Sequence, residues 1–107
     1  MIVKNSQVKY ERLDGKCRRK ILAHDGGMMM VEVTFDKGGV GSVHTHPHEQ
    51  ITYVAKGKFE FEIGGEKTVV AQGDSLYMPP NTPHGTLALE DGVLVDVFTP
   101  QREDFLK

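Results

Sequence analysis

A chain of 107 residues, 38% of them apolar and 26% charged, has the length of a single domain (1–107) and enough apolar material for one packed core, which excludes both a second core and a disordered chain. Thirteen Lys and Arg against fifteen Asp and Glu leave a formal charge of -2, and the basic residues are scattered, so the clustered positive field that nucleic acid requires is absent. No run approaches the roughly 20 apolar residues of a membrane span, and the opening MIVKNSQVKYERLDGK lacks the apolar core of a signal peptide, so the expected location is the cytoplasm, without membrane contact.

The first dozen residues are expected to form an extra strand, a candidate for pairing with a second subunit in a homodimer. Next comes the one cysteine, Cys17, which cannot close an internal disulfide. Its neighbours Arg18, Arg19 and Lys20 would lower its pKa if they stayed close, but a structural cysteine is the better reading. His24 reads as a surface or satisfied core histidine.

From there on, glycine and proline breaks are too closely spaced for a long helix. Between them lie MMMVEVTF (28–35), ITYVA (51–55), KFEFEI (58–63), KTVVA (67–71) and VLVDVF (93–98), all rich in β-formers. Met28, Met29 and Met30 are expected to fill gaps in the core. In KFEFEI strict alternation puts Phe59, Phe61 and Ile63 on a buried face, and Gly64-Gly65 supplies the positive φ angles of a hairpin turn. Many short strands at this spacing predict an all-β sandwich or barrel. The tail after Pro100, residues 101–106, reads as one helical turn or a covering loop.

Four of the five histidines cluster: His44, His46 and His48 lie within seven residues, and His84 follows a Pro-rich turn. In an extended segment His44 and His46 share a face, a bend at Pro47 lets Gln50 arrive from the next strand, and His84 can reach across as a fourth ligand. A polar surface loop would explain one isolated histidine better than this set. Neutral imidazoles suit one divalent first-row metal (iron, nickel, copper, zinc or manganese), with the affinity order alone not choosing among them.

Gly38-(x5)-His44-x-His46-(x3)-Gln50-(x6)-Gly57 resembles the first motif of the cupins, with Gln50 where that family usually carries Glu. Gly73-(x5)-Pro79-x-Asn81-(x2)-His84 resembles the second, with Asn81 in place of a Gly and Ala88 in place of a later Asn. The resemblance implies the cupin double-stranded β-helix, a jelly-roll barrel. It does not imply one reaction, because cupins include isomerases, dioxygenases, decarboxylases and ligand-sensing domains. Gln50 as ligand leaves the donor set neutral and the metal nearly its full charge, which attracts anions and favours Lewis-acid chemistry over oxygen activation. Glu49 or His48 are the alternatives to Gln50, though an adjacent strand residue points the other way.

One charge interrupts the last apolar run. Asp96 shares a face with Leu94 and Phe98 and needs a partner there, since an unpaired buried carboxylate costs several kcal/mol. The metal, a ligated water, a histidine or Arg102 are the candidates. The ending Asp96-x-Phe98-x3-Arg102-Glu-Asp-Phe-Leu, together with His-x-His-Pro-His-Glu-Gln, is similar to the pectin-degradation cupins of the KdgF type. That resemblance implies a site of three His and one Gln on a metal, with an Asp, a Phe and an Arg. The implied reaction converts a 4,5-unsaturated uronate to its linear keto form. Asp96 would be the acid and base, Arg102 would bind the carboxylate of this small anionic sugar acid, and Phe98 would wall the sugar face. The competing readings are an iron or copper dioxygenase and a non-catalytic cupin that binds a small ligand.

Overall fold

Two antiparallel sheets face each other in the computed structural model, which describes residues 1–107. The strands, in chain order, are β1 (Glu11–Asp14), β2 (Cys17–Asp25), β3 (Met28–Phe35), β4 (Val40–His44), β5 (Glu49–Lys56), β6 (Lys58–Ile63), β7 (Glu66–Ala71), β8 (Ser75–Met78), β9 (His84–Ala88) and β10 (Gly92–Thr99). Six form one sheet in the order β1-β2-β3-β10-β5-β8, and four form the other in the order β4-β9-β6-β7. The sheets curl into the expected jelly-roll barrel. No helix is long and apolar enough to cross a membrane.

Period-two alternation decides what fills the interior. Phe59 and Phe61 point inward and are buried, while Ile63, at the strand end, is half-buried. Gly64 and Gly65, both at positive φ, turn β6 into β7 as the pattern predicts. Phe59 meets Phe35 of the opposite sheet edge-on at 5.3 Å between ring centroids, which ties the two layers together. The methionine expectation holds for only one of three residues. Met29 is 1% exposed, whereas Met28 and Met30 are 55% and 40% exposed, because neighbours in a strand cannot face the same side.

The first residues cross the outer face of the six-stranded sheet. Asn5 receives the Lys20 ammonium on its side chain at 2.8 Å and on its carbonyl at 3.0 Å, and donates to Glu32 at 2.8 Å. Of the first dozen residues only Glu11 and Arg12 lie in a strand, β1, which pairs with β2 of its own chain, while Asn5–Gln7 form a 3-10 turn, so the expected strand begins later than the first residues. Cys17 is buried rather than reactive. Desolvation, then the nearby Asp14 carboxylate, push its thiol up to about 11, against the influence expected of its basic neighbours.

One glycine is required by a close approach that shapes the site. At Gly85 a β-carbon would lie 2.8 Å from the Gly41 carbonyl oxygen, so only glycine lets β9 pack tightly on β4. The tail ends in a short 3-10 turn, Glu103–Leu106, which places Phe105 against Phe98.

Candidate metal centre

That tight β4–β9 packing sets the first two donors. His44 ends β4, His84 begins β9, and the register puts them directly opposite each other. His46 comes from the loop that follows, which is held in place by the Asn81 N–H donating to the His46 carbonyl at 2.8 Å. Asn81 occupies the motif's glycine position at φ 61, a conformation asparagine tolerates better than most residues. The donor nitrogens of the three histidines all lie within 4.8 Å of one another.

Hydrogen bonds to backbone carbonyls fix their tautomers. The Nδ1–H of His44 donates to Ser42 at 2.8 Å, that of His46 to His48 at 3.0 Å, and that of His84 to Thr82 at 2.9 Å. Each Nε2 is therefore left with a lone pair aimed at the common centre. Burial holds His46 and His84 below the ordinary histidine pKa, so both are neutral at physiological pH, the form that binds metal. The buried Nε2 of His84 has no hydrogen-bond partner, which in a folded interior calls for an explanation.

Gln50, on β5, completes the set. Its Oε1 stands 2.9 Å from His46 Nε2, an acceptor facing an acceptor. Two donors each about 2.1 Å from one ion at a right angle sit about 3 Å apart, so a shared cation reconciles the pair. The four residues thus fit a divalent metal, and metal identity does not follow from them. Glu49 points outward, accepting from Tyr77 and, at 3.5 Å, from Thr99. His48 lies beside the Phe98 ring and outside the histidine cluster.

A cavity of about 270 Å³ is lined by the expected Asp96, Phe98 and Arg102 together with His44, Gln50 and His84. Asp96 finds a partner absent from the sequence-based candidates: the buried Thr52 hydroxyl donates to its Oδ1 at 2.7 Å, and Gln50 Nε2 donates to that hydroxyl at 2.9 Å. Desolvation pushes the Asp96 carboxyl up to about 6, with hydrogen bonding from Thr52 and Gln50 offsetting only part of the burial.

Arg102 does not pair with Asp96. Its Nε and Nη2 grip Asp104 at 3.0 and 2.8 Å, while its guanidinium stacks between Phe98 and Phe105, 5.1 and 4.2 Å from their centroids. One edge of the fork is thereby occupied, and Asp104 is held below the usual carboxylate range by that bond. A second guanidinium, Arg19, lines the cavity from β2, 3.8 Å from the Phe105 ring centroid and paired with Glu11. Sequence reading missed Thr52, Arg19 and Phe105. Of these Thr52 carried a signal, standing two residues from Gln50 on the same face of β5, and Phe105 stood in the tail that carries the resemblance.

The profile of the cupin domain matches residues 31–98, which span both motifs. The chain is a cupin. It is 43% identical to the pectin degradation protein KdgF of Dickeya dadantii, over 95% of this cupin and 94% of that protein. Among solved structures, KdgF from a Halomonas species superimposes with a TM-score of 0.94 at 40% identity, covering 98% of this cupin and 97% of that chain. An RmlC-like cupin from Shewanella frigidimarina gives the same TM-score at 38% identity, covering 97% and 94%. The fold that the motifs implied is therefore the one observed, and the likeness to KdgF extends over nearly the whole cupin.

Proposed function

We propose that this cupin is a metal-dependent isomerase that opens a 4,5-unsaturated uronate to its linear keto form. The observation that carries the proposal is the meeting, around one cavity, of a four-donor set of neutral ligands, a partly buried carboxylate and a guanidinium. The extended similarity to a pectin degradation protein supports the substrate class.

The residues divide the work by their chemistry. A divalent ion on His44, His46, Gln50 and His84 would supply Lewis acidity to a substrate oxygen, undiminished by any anionic ligand. The free edge of Arg102, with Arg19 nearby, presents positive charge to the substrate carboxylate. Phe98 gives the sugar ring an apolar wall. Asp96, with its carboxyl raised to about 6, is ionised at neutral pH yet close enough to that pH to give the proton back.

The step balances without a co-reactant. Asp96 takes the proton of the anomeric hydroxyl, the bond from the anomeric carbon to the ring oxygen breaks, and an aldehyde forms. The electron pair stays on the former ring oxygen as an enolate at C5. The same proton then goes to C4, leaving a ketone at C5 and restoring the carboxylate. No water or oxidant enters.

The test follows the conjugated double bond. Protein reconstituted with a divalent metal is mixed with unsaturated galacturonate, and the absorbance is expected to fall faster than in an enzyme-free control. Chelator-treated protein is expected to return to the control rate. Decay at the control rate with every metal tried overturns the proposal.

A further inference from the structure

A glutamine differs from a glutamate in one respect that matters beside a metal. Its amide has two ends of nearly equal shape, of which the oxygen can bind a cation and the NH₂ cannot. Half a turn about the last side-chain bond would convert a ligand into a group that repels the ion. A glutamate has no such ambiguity, since either oxygen serves. A cupin that carries Gln50 in the ligand position therefore needs something to choose the end that faces the histidines.

The choice is made below the ligand. Thr52 is fully buried, at 0% exposure, and the register of β5 on β10 places it directly opposite Asp96. A hydroxyl has a single hydrogen. Thr52 donates its own to Asp96 Oδ1 at 2.7 Å, which leaves only lone pairs for Gln50. Those lone pairs accept from Gln50 Nε2 at 2.9 Å, so Oε1 is turned the other way, to within 2.9 Å of His46 Nε2. The chain Asp96, Thr52, Gln50 has one consistent direction of donation while Asp96 is a carboxylate.

We propose that Thr52 is the positioning residue that selects the amide oxygen of Gln50 as the fourth metal donor. Valine fits the same space without the hydroxyl, and serine keeps the hydroxyl without the methyl, so the two substitutions separate hydrogen bonding from packing. The inference rests on the metal-site reading alone and not on the isomerase reaction.

The experiment titrates metal-free full-length protein with Co²⁺, reading the visible absorption of the bound ion and the affinity, with the melting temperature of each metal-free variant as a check on folding. Thr52→Val is expected to weaken Co²⁺ binding about 10–100-fold, the usual cost of losing a group that orients a ligand. Thr52→Ser is expected to bind within about threefold of wild type. Combined with Gln50→Glu, which gives the ligand two equivalent oxygens, Thr52→Val is expected to cost less than about threefold. Should Thr52→Val fail to fold, Thr52→Ala carries the same expectations.

Wild-type binding that Thr52→Val leaves unchanged overturns the role of Thr52 and assigns the amide's orientation to the Asp96 charge alone. A loss in Thr52→Ser as large as in Thr52→Val overturns it in favour of packing, and so does an equal loss with Gln50 and with Glu at that position. A wild-type protein that binds no Co²⁺ at all overturns the metal site itself, and this inference with it.

Discussion

Near one end of the barrel interior Leu94 of β10 stands opposite Val54 of β5; two residues along, Asp96 stands opposite Thr52, and two further, Phe98 stands opposite Gln50. The same two strands, in the same register, thus line a packed apolar end and a polar working end. Leu94 and Val54 join the cluster built on Phe59 and Phe35, where close packing stabilises the fold. At the other end a carboxylate is held in conditions that disfavour its charge, and three imidazole nitrogens and an amide oxygen face one another without a proton between them. One end contributes stability and the other draws on it, and the sheet's period of two lets both exist on one face without disturbing the backbone.

Asp96→Asn is the sharpest way to break this contrast, and it carries the largest expected effect. Turnover of unsaturated galacturonate is expected to fall about 10²–10⁴-fold, the range for losing a general acid-base, while Co²⁺ binding stays. The metal-free variant should also be the more stable protein at neutral pH. The folded-state pKa of Asp96 lies above the unfolded value of 3.8, at about 6, so the folded protein holds the proton more tightly. Its favourable contribution is complete below about pH 4 and is lost as pH rises through about 6, a change on the order of 2–3 kcal/mol. Denaturant unfolding should show the advantage of the variant growing across that window. A variant less stable than wild type at neutral pH would make Asp96 a structural residue.

Phe59→Ala probes the packed end and should do the reverse. A loss of about 3–5 kcal/mol in denaturant unfolding is expected, with turnover of the protein that remains folded within about twofold of wild type. A selective loss of turnover would mean that the two ends are not independent. The smallest effect is expected from Arg102→Lys, which keeps the charge and gives up the planar fork. KM should rise about tenfold, the worth of one charge-assisted hydrogen bond, with kcat little changed. An unchanged KM would leave Arg102 to its role with Asp104 and the two phenyl rings.

Much of this was legible in the residues. The alternation of Phe59 and Phe61 gave the inward face of β6, and Gly64-Gly65 gave its turn. The spacing of His44, His46 and His84 gave the cluster of imidazoles, with Gln50 beside it, since each motif is local enough for its own geometry to follow from strand and turn rules. Met28 and Met30 misled because residue type was allowed to outweigh alternation. The partner of Asp96 was missed because threonine is an ordinary strand residue, and only the meeting of β5 with β10 makes its hydroxyl a hydrogen-bond donor to a buried charge. Arg102 was assigned a free fork because its capture by Asp104 depends on the 3-10 turn at the tail.

By itself the sequence determined which side chains face inward and which atoms could hold a metal, because both follow from period-two strands and from the chemistry of imidazole and amide groups. Only the tertiary structure decided which end of Gln50 meets the histidines and how the charge of Asp96 is satisfied. Those depend on the register between strands whose residues Thr52 and Asp96 are 44 positions apart. Alternation within one strand does not say which residue of another strand stands opposite, and a shift of one residue would turn Asp96 to the opposite face and remove it from the cavity.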